Sequence, residues 1–243
     1  MERIRIDISF KGTDYHGWQI QENAFTVQEE LNKALSVILR ENIETVGCGR
    51  TDTGVHARHF TAHFDCANRI DDFDYLKFKL NTVLSKNISV NDIFRTYPGF
   101  HSRFDAIKRT YKYFIHTSKN PFKNEYSTFV PYSLDLKLMN GAAALLTGNR
   151  DFTSFSKLHT DVADNYCNVY EAGWTQTDGD YVFTISANRF LRNMVRAIVG
   201  TMLDAGRNRI PDFAGIIDAK DRSRAGVSVP PQGLFLWENL YRE

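Results

Sequence analysis

Apolar and polar residues alternate over Arg3–Phe10 (RIRIDISF), with Ile4, Ile6, Ile8 and Phe10 set against Arg3, Arg5, Asp7 and Ser9. A period of two predicts a half-buried strand with one wet face, as in an antiparallel sheet. Thr26-Val-Gln-Glu29 has the form of a capping box, Thr26 accepting from the amide of Glu29 and the carboxylate returning to the amide of Thr26. The helix behind it places Val27, Leu31, Ala34, Leu35 and Ile38 on one face. Val55–Phe64 reads as a strand, and Asp72–Leu84 as a second, less regular helix. In the second half Thr110–Thr117 alternates as a strand. Leu134–Leu146 is helical, with Ser133 as N-cap and Gly148 just past its end. Asp178-Gly179 joins Trp174–Thr177 to Tyr181–Ala187 as a hairpin. Leu191–Ala205 carries the longest helical stripe: Leu191, Met194, Val195, Ile198, Val199, Met202 and Leu203, closed by Gly206. Pro211 opens a short helix, and Leu234–Tyr241 is a final strand.

This order of elements repeats a theme. It predicts an α/β chain of the α+β type: two similar lobes of mainly antiparallel sheet, helices packed on one face, and an active-site cleft between the lobes. The expected lobes are residues 1–98 and 99–243. The chain has 243 residues, 42% hydrophobic and 24% charged, which is ample for a core and excludes a disordered tail, a fibre or a disulfide-stapled miniprotein. Three widely spaced cysteines (Cys48, Cys66, Cys167) with no CxxC pair point to a reduced, cytoplasmic setting. No secretory leader is read at the start and no apolar run is long enough for a membrane span.

A formal net charge of +1 hides an uneven distribution. His101–Asn120 sets five basic residues against Asp105, and Ser186–Arg209 sets five against Asp204, a net +4 each. Two such segments on an otherwise acidic chain can line a polyanion groove, or can be solvated faces paired with nearby carboxylates.

Cys48–Ala57 (CGRTDTGVHA) is the segment richest in chemistry. Gly49 and Gly54 bracket Arg50-Thr51-Asp52-Thr53, so the backbone can turn tightly and offer one carboxylate, with Thr51 and Thr53 placed to orient it. A turn in which the Asp caps its own backbone is the bland alternative. A phosphate-cradling GxxxxGK[ST] string is missing. Asp52-Thr53-Gly54 is the aspartic-protease triplet, but that chemistry needs a second carboxylate. A lone ionised Asp acting without water activation is the third option. His56, His59, His63 and Cys66 invite a zinc reading; on a strand, residues four apart are separated by roughly 13 Å, too far for one metal. No metal is expected.

Gly49–His56 (GRTDTGVH) resembles the GRTD[AT]GVH signature of the tRNA pseudouridine synthase A family. Asp14–Gln19 (DYHGWQ) followed by Val27–Glu30 (VQEE) is similar to that family's opening. Phe100–Asp105 (FHSRFD), Arg109–Tyr113 (RTYKY), Asp151–Phe155 (DFTSF), Phe190–Gly200 (FLRNMVRAIVG) and Pro230–Leu234 (PPQGL) resemble further blocks in the same order. Thr53 and Val229 stand where the family has Ala more often, and Asp161–Asn168 is unusually acidic.

The resemblance implies a pseudouridine synthase fold and an isomerase that converts uridine to pseudouridine at positions 38 to 40 of the tRNA anticodon stem-loop. It implies a homodimer with no cofactor, because the reaction moves a base on its own sugar and conserves every atom. Asp52 would be the catalytic carboxylate, as nucleophile towards the ribose or base at its C2′. Tyr111 would stack on the uracil, Tyr113 serving as a core aromatic. Arg196 would pair with Asp52, with Arg192 one helical turn away. Arg50 would contact phosphate or fill the space left by the flipped nucleotide. Arg103, Lys108, Arg109, Lys112 and Arg192 would grip the RNA, offsetting the few kcal/mol needed to unstack a paired base. The competing classes are a non-catalytic tRNA-binding or chaperone protein and an aspartic hydrolase built on the DTG triplet.

Overall fold

The computed structural model describes residues 1–157 and 164–242. The chain divides into two compact units, one formed by Met1–Ile107 with the stretch from Leu236 onward, the other by Lys108–Phe235. The division falls at residue 107/108, later than the expected 98/99, and the last strand returns to the first unit. Asp161–Ala163, part of the acidic stretch, lie outside the described residues.

The first unit contains strand β1 (Glu2–Phe10), helix α1 (Val27–Leu39), strands β2 (Val46–Gly47) and β3 (His56–Cys66), helix α2 (Phe73–Val83) and strand β4 (Ile88–Arg95). β1 runs antiparallel to both β3 and β4, in the register Ile6↔Ala62 and Ile6↔Ile93, and β2 adds antiparallel to β3. Ile4, Ile6, Ile8 and Phe10 are buried as their alternation predicts, together with Leu31, Leu35, Leu76 and Leu80 of the two helices. Thr26 caps α1 through the amide of Glu29, at 3.3 Å, and Asp72 caps α2 through the amide of Tyr75, at 2.8 Å.

The face of β1 expected to be wet is in part covered. Arg3 makes a two-pronged pair with Asp65 and donates to the carbonyl of Phe100. Arg5 lies over the rings of Phe94 and Tyr241 and pairs with Asp7. Asp7 is buried, and Thr61 also donates to it, at 2.6 Å. Burial pushes its carboxyl up, but hydrogen bonds from His59, Arg5 and Thr61 outweigh that and hold it below the usual carboxylate range. A charged alternation therefore builds a second, polar core layer here rather than a solvent face.

The second unit contains β5 (Ala106–His116, from Lys108 onward), β6 (Thr128–Phe129), α3 (Leu136–Ala144), β7 (Gly148–Asp151), β8 (Tyr166–Thr177), β9 (Asp180–Ala187), α4 (Met194–Gly206) and α5 (Phe213–Asp218). A final strand, β10 (Leu234–Tyr241), begins in this unit and ends in the first. The order is β5-β9-β8-β7, antiparallel throughout, with β6 parallel to β5. Asp178 and Gly179, with φ of 51° and 81°, make the expected two-residue hairpin turn.

Two helix starts differ from expectation. The N-cap of α3 is Asp135, whose carboxylate accepts from the amides of Lys137 and Leu138 at 2.8 and 3.1 Å, and not Ser133. Helix α4 begins at Met194 because Asn193 sits at φ 66°, a left-handed conformation that a right-handed helix cannot pass through. Leu191 keeps its buried place but lies in the preceding turn. Arg192 is thus not one helical turn below Arg196. Most of α4 is buried all round, so it is a core helix and not a surface helix with a charged edge.

Candidate active site

Asp52 lies in the connection between β2 and β3, half-buried. Main-chain bonds define this loop: Cys48 N–H to the Thr61 carbonyl at 2.8 Å, Val55 N–H to the Asp52 carbonyl at 3.1 Å, and Gly54 N–H to the Tyr15 carbonyl at 3.3 Å. The loop is laid directly on the segment that follows β1. A Cβ on Gly12 would stand 2.0 Å from the carbonyl oxygen of Val55, and one on Gly17 would stand 2.3 Å from that of Thr51. Gly17 also holds φ 89°, which side-chain-bearing residues rarely adopt. Gly12 N–H donates to His56 Nδ1 at 3.0 Å, so that nitrogen carries no proton.

The same segment is pinned from below. The Trp18 ring stacks on Phe60 at 4.2 Å, and Gly47 leaves room for it. Buried Tyr15 places its hydroxyl 2.7 Å from Glu30 and 2.9 Å from Ser85, and burial pushes the phenol up to about 12. The DYHGWQ, VQEE and GRTDTGVH blocks are therefore one structure, the first two acting as a template for the third.

Several details differ from the sequence reading. Gly49 has open space where a Cβ would stand and no left-handed φ, so of the two bracketing glycines only Gly54, at φ 78°, uses its special freedom. The Thr51 hydroxyl is buried with no hydrogen-bond partner among the described residues, so it does not bond the Asp52 carboxylate; Thr53 is exposed. Arg50 is exposed beside the loop. The histidines are committed elsewhere: His59 lies 3.5 Å from Asp7, and His63 accepts from the Ser102 amide. Among the described residues no three His, Cys, Asp or Glu side chains are grouped to hold a metal.

In the second unit, Tyr111 and Tyr113 share one face of β5 with Arg109, while Lys108 and Lys112 share the other. The two lysines therefore do not line the surface that carries Tyr111. Tyr113 is fully buried, its hydroxyl 2.6 Å from Thr128 and donating to the Pro230 carbonyl at 2.9 Å, the core role expected of it. Tyr111 is half-buried and meets Phe190 edge-on, with centroids 5.0 Å apart and planes at 84°. In either sense of that contact Phe190 covers at most one face of the tyrosine. Phe190 belongs to the FLRNMVRAIVG stretch, and its contact with Tyr111, made between β5 and the turn before α4, leaves no local signal in the sequence.

Arg196 sits in the first turn of α4. Its Nε donates to the Val229 carbonyl at 2.8 Å, and its own carbonyl accepts from Val229 N–H at 3.2 Å. The strap 226–230 is pressed onto the helix; a Cβ on Gly200 would stand 1.8 Å from the Val227 carbonyl oxygen. Asn193 donates to Ser228 Oγ, and Thr201 Oγ accepts from Gly226 N–H. The RTYKY, FLRNMVR and PPQGL blocks thus converge as the first three do.

The basic segments divide in character. Arg103 and Arg192 are exposed. Arg109 is buried, with Nη1 donating to the Asn188 carbonyl at 2.7 Å, which is an anchor and not a phosphate contact. Arg189 lies 3.6 Å from Asp164, and Arg207 covers the ring of Tyr132. Cys167, in the acidic stretch, is buried beside the sulfur of Met194, and burial pushes its thiol up to about 12.

A family model described as tRNA pseudouridine synthase matches residues 142–242. tRNA pseudouridine synthase A of Parabacteroides distasonis is 50% identical over 245 residues, covering 100% of this chain and 97% of that protein. Its counterpart in Bacteroides fragilis is 50% identical, covering 97% and 95% of the two chains. That of Bacillus subtilis is 41% identical, covering 98% and 99%.

Proposed function

The chain belongs to the tRNA pseudouridine synthase A family, and from that premise we propose that it isomerises uridine to pseudouridine in tRNA, at positions 38 to 40 of the anticodon stem-loop, with Asp52 as the reacting carboxylate. The observation that carries this reading is the construction of the Asp52 loop: three separated family blocks fold together to hold one carboxylate-bearing turn through backbone bonds and glycine contacts. Such rigidity suits a group that must meet a sugar carbon in one geometry.

The reaction breaks the bond between C1′ and N1 of uracil and forms one between C1′ and C5. The proton leaves C5 and N1 gains one, so the composition is unchanged. An ionised Asp52 serves either route, adding to the sugar and then leaving, or removing and returning the proton at C2′. Tyr111, half-buried and edge-on to Phe190, is assigned to hold the detached uracil; base–aromatic stacking contributes about 1–3 kcal/mol. Arg196, its guanidinium fixed by the Nε bond to Val229, is assigned to substrate binding. Arg50, Arg103 and Arg192, all exposed, are assigned to the phosphates, and Arg109 to holding the fold. The protein works as a cytoplasmic homodimer in this reading; no helix among the described residues is long and apolar enough to cross a membrane.

The test is direct. Unmodified tRNA transcript incubated with the protein and no additive should acquire pseudouridine at positions 38 to 40, with binding that weakens steeply with salt. Salt-sensitive binding with no product would identify a tRNA-binding protein instead, and acid-optimal peptide cleavage an aspartic hydrolase.

A further inference from the structure

We propose that the loop Tyr97–Asp105 is a stacking platform for an unpaired nucleobase of the tRNA, with the ring of Phe104 as its surface; the proposal rests on the tRNA reading above. Phe104 is 73% exposed, an unusual place for a phenylalanine in a loop so heavily bonded. The Asp105 carboxylate accepts from His101 N–H and from the Tyr97 hydroxyl, both at 2.8 Å. Phe104 N–H and Asp105 N–H both donate to the His101 carbonyl. The His101 ring lies against that of Phe104, centroids 4.2 Å apart and planes at 35°, and the Arg103 guanidinium lies 5.6 Å from the Phe104 centroid.

The platform is tied to the Asp52 loop. Ser102 is fully buried; its hydroxyl donates to the Val46 carbonyl at 2.6 Å and its N–H to His63 Nδ1 at 3.2 Å, while Tyr241 donates to its carbonyl. Val46 begins β2, the strand that leads into the Asp52 loop. A preordered ring beside the Arg103 guanidinium fits a base with its adjoining phosphate, and stacking on such a ring accepts any base. An apolar partner surface would not call for the neighbouring charge.

The experiment compares Phe104→Ala, Phe104→Leu and Phe104→Trp in tRNA binding and turnover. Ala and Leu should weaken binding about 5- to 150-fold, the loss falling on KM more than on kcat, while Trp retains affinity. Fluorescence of the Phe104→Trp protein, corrected for the native tryptophans, should be quenched by tRNA. Unchanged affinity in Phe104→Leu, or an unquenched Trp in a protein that binds tRNA, overturns the proposal. So does a shift in oligomeric state on Phe104→Ala, which would make the ring a contact between copies. A wild type that neither binds nor modifies tRNA refutes the functional reading itself, an outcome distinct from an active wild type with a dispensable Phe104.

Discussion

The Asp52 loop and the Arg196 strap solve the same problem in opposite ways. In the first unit Asp52 rides on a loop, and the glycines that admit it, Gly12 and Gly17, sit on the scaffold beneath. In the second Arg196 rides on a core helix, and a strap is pressed onto that helix at Gly200 and tied by Arg196 itself. A carboxylate only accepts hydrogen bonds, and oxygens engaged by structural donors are weakened as nucleophile or base, so a loop that offers one for reaction is best fixed through its backbone, as the Asp52 loop is. A guanidinium has several donors and can use one, Nε in Arg196, to fix itself.

This contrast can be broken by substitution. Gly17→Ala should have the largest effect of those that leave the chemical groups intact. It forces both a strained φ and a clash with a main-chain carbonyl, costing about 3 kcal/mol or more in chemical denaturation and lowering kcat at least about 100-fold. Gly49→Ala, where nothing lies within 4 Å, should change stability by less than about 0.5 kcal/mol. Equal losses in the two would show that the template does not define the loop. Gly200→Ala should cost about 2 kcal/mol, since the strap can shift away from the helix at the expense of its bonds. Its turnover should fall less than that of Gly17→Ala, and the reverse order would break the comparison. Tyr113→Phe removes the hydroxyl that donates to Pro230 and should lower stability by about 1–2 kcal/mol in the same assay.

A pH dependence tests the first unit alone. Burial, with Arg3 and His101 adding to it, pushes the His63 imidazole down to about 4 from an ordinary 6.5. Above 6.5 it is neutral in both folded and unfolded chains. Between 6.5 and about 4 only the unfolded chain takes up the proton, so stability falls as pH falls through that window. Denaturation midpoints across it should flatten in His63→Gln; an unchanged slope would remove His63 as the cause.

Much of this was legible in the sequence where the determining residues are neighbours. The alternation of Ile4, Ile6 and Ile8, the Asp178-Gly179 turn and the Thr26 cap all follow from local spacing. What escaped depends on contacts across long separations. Gly17 is required by Thr51, 34 positions away, and no spacing rule links them, whereas Gly49 stands beside the loop and is required by nothing within 4 Å. Leu191 continued the apolar stripe of α4, but the left-handed Asn193 stops the helix short of it. Asp7 looked like a solvent-facing charge because its partners Thr61 and His59 come from another strand.

Asp52→Asn, assayed with saturating enzyme on a single tRNA transcript and with affinity measured alongside, is the most direct test of the role assigned to Asp52. The side chain keeps its shape and loses its charge and basicity. The prediction is tRNA affinity within about twofold of wild type and pseudouridine formation slower by about 1000-fold or more. Pseudouridine appearing at a rate near that of the wild type would contradict it.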